Sequence, residues 1–108
     1  MNDIDYIITT AEYTILFIAR HKKERYPIAY AGLNIIYEEG KQIGKLGGII
    51  RRHEFKKKGI VRELVNKRLD VCKMLGCDKA YVAVYYKRKG LIKLYERQME
   101  SSKTYKSI

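Results

Sequence analysis

Apolar residues come in short β-branched runs over the first half of the chain and at helical spacing over the second. Tyr6 to Thr9 is short and β-branched, and Tyr13-Thr14-Ile15-Leu16-Phe17-Ile18-Ala19 is rich in β-formers and too short for a stable helix, so the pattern predicts two strands. His21-Lys22-Lys23-Glu24-Arg25 is a polar turn with a charged tip, after which Pro27 opens a third segment, Ile28 to Tyr37, with β-rich ends around Gly32. Glu38-Glu39-Gly40-Lys41 has a turn signature, which makes the next run, Gln42 to Arg51, the return strand of an antiparallel hairpin.

At Lys58 the period changes. Val61, Leu64, Val65, Leu69, Cys72 and Leu75 recur at three and four residues, and Gly76 stands where a helix C-cap would. Lys79 to Tyr86 follows, with Ala80, Val82 and Val84 on one face and Tyr81, Ala83 and Tyr85 on the other. It is apolar on both sides, as expected of a central, covered strand. A second helix is predicted from about Lys89 to Met99, with Leu91, Leu94, Tyr95 and Gln98 on one face and Ile92 beside it. The stretch from Gln42 to Tyr86 thus reads strand, helix, strand, a unit that sets its strands parallel with a right-handed crossover. The fold class is α/β: a mixed sheet with antiparallel N-terminal strands, then a parallel strand-helix-strand unit and a C-terminal helix.

Composition bounds the partners. With 108 residues and no Pro/Gly/Ser linker the chain reads as a single unit over 1–108. No apolar run approaches the roughly 18 residues of a membrane span, and Asp3 and Asp5 stand where a secretory signal carries cations, so the expected compartment is the cytoplasm. Two cysteines, Cys72 and Cys77, are too few for a disulfide scaffold, and with His21 and His53 they match no compact metal-ligand spacing. No Gly-x-Ser-x-Gly elbow is present. The 23 Lys and Arg against 12 Asp and Glu leave a net charge of +11, which points to an anionic partner.

Position narrows that partner. Arg51, Arg52, Lys56, Lys57 and Lys58 follow the first parallel strand, and Lys87, Arg88 and Lys89 follow the second, so all eight cations are expected on one edge of the sheet. Ligands of parallel sheets sit at that edge, where the next helix points its N-terminus outward. With Gly59 at the start of the long helix, unpaired backbone N–H groups there suit a phosphate.

The stretch from Ile49 to Leu64 resembles the strand-to-helix signature of the GNAT superfamily of N-acetyltransferases, with Lys56, Gly59 and Val61 at the three defining positions of (Gln/Arg)-x-x-Gly-x-(Gly/Ala). Val84 to Arg97 is similar to the family's V-x-x-x-N-x-x-A-x-x-L-Y-E-K run, most specifically at Leu94-Tyr95-Glu96, and the likeness extends from about Ile28 to Met99. It implies acetyl-CoA as cofactor and an amine as acceptor. The amides of Lys57, Lys58, Gly59, Ile60 and Val61 would bind the pyrophosphate, and the main chain of Ile49, Ile50 and Arg51 would pair with the pantetheine arm. Tyr95 would protonate the departing thiolate, and Arg88 stands where the family usually has Asn.

The resemblance also implies a member trimmed at both ends. Thr9 to Glu12 leaves no room for the two helices usual between the first strands, and Ser101 to Ile108 supplies one of two final strands at most. The strand Lys79 to Tyr86 would then present an open edge, and a homodimer through that edge or the last helix, with Ser101 to Ile108 exchanged, is the expected remedy. The rival reading is an inactive fold of this type that binds nucleic acid or an acidic protein through tyrosines interleaved with cations, as in Tyr85-Tyr86-Lys87-Arg88-Lys89 and Lys103-Thr104-Tyr105-Lys106.

Overall fold

The structure is a computed structural model that describes residues 3–56 and 59–101. Five strands stand side by side in chain order: β1 (Ile4–Ala11), β2 (Thr14–His21), β3 (Pro27–Glu38), β4 (Lys41–Arg51) and β5 (Lys79–Val82). β1 to β4 form an antiparallel meander, whereas β5 lies parallel to β4 and is reached through helix α1 (Ile60–Met74). A 3₁₀ turn, His53–Phe55, leads into α1, and helix α2 (Lys89–Ser101) follows β5. No helix among the described residues is long and apolar enough to cross a membrane.

Local chemistry sets the connections. Glu39 and Gly40 both have positive φ, at 51° and 77°, which gives the β3–β4 hairpin the type I′ twist that matches its strands. At the other end of α1, Gly76 takes φ 74°, so that Cys77 N–H reaches Cys72 O at 2.9 Å and Gly76 N–H reaches Lys73 O at 3.0 Å. This Schellman closure sets Cys77 against Cys72 and turns the chain toward β5.

Alternation within the strands then decides which face is covered. Phe17 pairs with Ala31, Ala19 with Ala29, Leu33 with Leu46 and Ile35 with Gly44, and these residues form the floor on which α1 lays Leu64, Val65, Leu69 and Cys72. The fit is closest at Gly44, where an added Cβ would drive into Cys72 Sγ. The opposite face is open, with Tyr30 beside Ile50 and both exposed.

One irregularity shapes the sheet. Ala31 pairs with Ile49 and Leu33 with Leu46, so the single residue Gly32 on β3 opposes both Gly47 and Gly48 on β4. Such a bulge bends and twists the strand that carries it. Pairing between β4 and β5 accordingly stops at Leu46 and Val82. The expected strand from Lys79 to Tyr86 is therefore corrected to four residues, at the edge of the sheet rather than in its centre. Ala80 is buried and Val82 and Val84 pack on the core, while Tyr81 is half-buried and Tyr85 exposed. Tyrosine can lie on a half-wet surface, so apolar character on both faces overstated the cover. The expected tail exchange, from Ser102 onward, lies outside the described residues.

Gly44→Ala should destabilise the fold by about 1–3 kcal/mol through overpacking against Cys72, and Cys72→Ala in the same chain should recover part of the loss. Gly48→Ala, which meets open space, should stay within about 0.5 kcal/mol of the parent in urea unfolding. The same contact predicts alkaline sensitivity. Burial pushes the Cys72 thiol up from about 9 to about 12. The unfolded thiol ionises first, so this contribution is complete below about pH 9 and is lost as pH rises toward 12. Cys72→Ala should flatten that part of the stability–pH curve.

Candidate functional site

The bulge opens a cleft. Beyond Leu46, β4 runs on to Arg51 paired with β3 alone, while the chain after Val82 swings away toward α2. Between them lie three depressions of about 80, 280 and 440 Å³. They run into one another, because Ile49, Arg88 and Leu91 border both the first and the second, and Arg51 and Val61 border both the second and the third. The combined space is on the scale of small-molecule and cofactor sites.

The outer part is built for negative charge. Arg51, Arg62 and Arg97 line it, Arg88 lines the middle and inner parts, and no carboxylate is among the described residues that border the cleft. Arg51 Nε is buried and finds no hydrogen-bond partner among the described residues. A buried donor left unpaired costs about 1–3 kcal/mol, and more when charged, so an acceptor belongs there.

Backbone donors meet the same space. Gly59 caps α1 with φ 73° and no side-chain capping hydrogen bond among the described residues; the first helical bond runs from Glu63 N–H to Gly59 O at 3.1 Å. The N–H groups of Ile60, Val61 and Arg62 precede it, and all three residues border the outer depression. At the start of α2, Ile92 N–H bonds to Arg88 O at 3.1 Å, and Gly90 and Leu91 lie on the cleft wall. Two helix N-termini, each with partial positive charge, thus converge on one groove.

At the inner end stands Tyr95, only 3% exposed, which lines the notch together with Gly47, Gly48, Val82 and Val84. Its Oη accepts a hydrogen bond from Arg68 Nη2 at 2.5 Å. Arginine has no acceptor to offer in return, so the phenolic proton is left for another partner.

The sequence-predicted residues divide accordingly. Ile49, Ile50, Arg51, Gly59, Ile60, Val61 and Arg88 all border the cleft, with Tyr95 at its inner end. Lys56 is exposed at the close of the 3₁₀ turn and is not among the lining residues, and Lys57 and Lys58 lie outside the described residues. Of the eight cations expected at this edge, Arg51 and Arg88 are the ones among the described residues that border the cleft. Arg52 turns back to donate from Nε to Pro27 O at 2.8 Å, with its guanidinium 5.2 Å from the Tyr26 ring, and Lys87 stands over the Tyr86 ring. Short-range attraction to a carbonyl and to aromatic faces outweighs clustering with like charge.

Arg62 and Arg97 take their place, and sequence reasoning missed both. A signal was present for the second, since Gly90, Leu94 and Arg97 follow helical spacing and all three line the outer depression. Arg68 was missed too, although it falls within the apolar stripe of α1 between Leu64 and Cys72.

Residues 2–100 match the model of the acetyltransferase (GNAT) family. Among solved structures, glucosamine-6-phosphate N-acetyltransferase from Arabidopsis thaliana superposes with a TM-score of 0.69 at 15% identity, covering 77% of this chain and 58% of that one. An acetyltransferase from Trypanosoma brucei gives 0.71 at 16% identity, with 79% and 60% covered. AAC(6')-Iy in complex with the bisubstrate analogue CoA-S-monomethyl-acetylneamine gives 0.66 at 19% identity, with 82% and 62% covered. At these identities the likeness is one of fold, and the chain spans about 60% of the length of those proteins. No curated protein sequence matches it.

Inorganic pyrophosphate at about ten times its Kd should raise Tm by roughly 5–10 °C. Replacing Arg51 and Arg97 together by Met should remove most of that rise, whereas Arg25→Met in the β2–β3 turn should leave it nearly intact. Equal losses in thermal-shift measurements would mean diffuse attraction to a +11 surface rather than a built site.

Proposed function

The chain belongs to the acetyltransferase (GNAT) family, and we propose that it transfers an acetyl group from acetyl-CoA to an amine in the cleft between β4 and β5. The observation that carries this reading is Arg51, whose buried Nε lacks a partner among the described residues, in a groove walled by three more arginines and the starts of two helices. That donor set fits a ligand with several phosphates on a slender body, which a nucleotide-linked thioester is.

Acetyl-CoA supplies an acetyl group activated as a thioester. Arg51, Arg62 and Arg97, with the amides of Ile60 to Arg62, would hold its phosphates at the outer end. From Gly48 to Arg51 no described strand pairs the far edge of β4, so this backbone has N–H and C=O groups to offer an extended, amide-bearing arm, as to one more strand. Tyr95 then stands where that arm would end. It holds a proton on Oη, gives it to the departing sulfur, and regains one from the proton that the acceptor nitrogen sheds. With no Asp or Glu bordering the cleft among the described residues, an amine that arrives already neutral is the form this site can use.

The rival binding-module reading draws no support from the geometry. Tyr85 and Arg88 border the cleft itself, and Lys103 to Lys106 lie outside the described residues.

Calorimetry with CoA should give saturable binding that Gly59→Val abolishes, because a β-branched residue is strained at φ 73°. Lys22→Ala should leave it nearly unchanged. With an accepted amine, Tyr95→Phe should lower kcat by about 10²-fold or more and change CoA affinity little. Absence of CoA binding by the parent protein would end this reading.

A further inference from the structure

Arg68 is 0% exposed and is the only charged side chain among the described residues that is buried. Among the described residues no carboxylate pairs with it. Its guanidinium instead spends its donors on four oxygens from four elements: Nε on Leu64 O of α1 at 3.2 Å, Nη1 on Gly32 O of β3 at 3.2 Å and on Gly47 O of β4 at 2.8 Å, and Nη2 on Tyr95 Oη of α2. Gly32 and Gly47 face each other across the bulge that opens the cleft. One planar group thus ties together the two strands at the bulge and the hydroxyl of a residue that lines the notch.

Resting on the acetyl-transfer reading above, we infer that Arg68 is the positioning residue for Tyr95, holding Oη at the bulge with its proton turned into the cleft. The chemistry follows from the donor inventory. A guanidinium only donates, so Tyr95 Oη can meet it only as an acceptor, and its single proton must point elsewhere. When that proton leaves for sulfur, the phenolate is already paired with a cationic donor that stays charged at any working pH. Burial disfavours the charged form of Arg68. Four oxygen acceptors compensate, and the forked, planar group can reach all four at once where a lysine ammonium could not.

A purely structural role would tie the bulge together and leave Tyr95 indifferent. The two are separated by asking what the cleft recognises at sulfur, using CoA and desulfo-CoA, which lacks the sulfur, as calorimetric probes at pH 9. At that pH part of an alkyl thiol is ionised, and the thiolate is the form that accepts a charge-assisted hydrogen bond. The parent protein should bind CoA about tenfold more tightly than desulfo-CoA, as a charge-assisted hydrogen bond from Tyr95 would give. Tyr95→Phe and Arg68→Met should each bring that ratio close to one, and the double variant should bring it no lower. Should Arg68→Met fail to fold, Arg68→Lys carries the same test, since it keeps the charge and loses the fork. Independently of any ligand, ¹⁵N spectra should show Arg68 Nη protons shielded from exchange and displaced by Tyr95→Phe.

A ratio lost in Tyr95→Phe but retained in either Arg68 variant would overturn the inference, as would a parent ratio of one. Failure of the parent to bind both probes would instead overturn the acetyl-transfer reading and the inference with it, while the Arg68–Tyr95 pairing would still be read from the spectra.

Discussion

The structure depends on a buried cation that meets no anion among the described residues. Moving a guanidinium out of water costs several kcal/mol, and Arg68 offsets this with hydrogen bonds to three backbone carbonyls and one phenol rather than with a salt bridge. Each such bond to a charged donor contributes about 1.5–3 kcal/mol. Because the acceptors belong to α1, β3, β4 and α2, the arrangement is satisfied only when all four elements are in place. The burial cost therefore becomes a constraint on geometry, and it holds the bulge and the inner end of the cleft in one register.

From that bulge the functional geometry follows. A regular β4 would have kept pairing β5 past Leu46, and no groove would separate them. The extra residue at Gly47-Gly48 turns β4 aside, frees one edge of its last residues and leaves room beside it for the starts of both helices. Space differs between these glycines: a Cβ on Gly47 would lie 3.5 Å from Gly32 O, in ordinary contact, whereas a Cβ on Gly44 would force Cys72 to shift. The sheet is thus packed tightly where α1 crosses it and loosely where a ligand would enter.

Net charge acts at two ranges. The +11 total draws anions from a distance, and salt weakens that attraction. Few cations are held close to the cleft, and among these Arg51 is singled out by a buried Nε with no partner among the described residues. Arg52, its neighbour in sequence, is spent on Pro27 O and the Tyr26 ring. Adjacent residues of the same type differ in this way because Arg51 is the last residue of β4, whereas Arg52 lies beyond it, within reach of Pro27 O and the Tyr26 ring.

The sequence by itself determined the elements and their order. The meander, the change of period ahead of Ile60, the Gly76 cap, the parallel crossover and the helix that carries Tyr95 are all written in runs of a few residues, where side-chain spacing and turn chemistry act locally. The glycine at the start of α1 was legible for the same reason. Only the tertiary structure decided where β4 bulges, how soon β5 leaves it, which arginines face the cleft and that Arg68 is buried beneath it. Those outcomes rest on pairings between segments far apart in the chain: Arg68 meets carbonyls 36 and 21 residues before it and a hydroxyl 27 residues after it. An arginine within an apolar stripe reads as a flaw in the pattern until folding brings those oxygens to it, because a charge in the core is tolerable only when distant backbone supplies its partners.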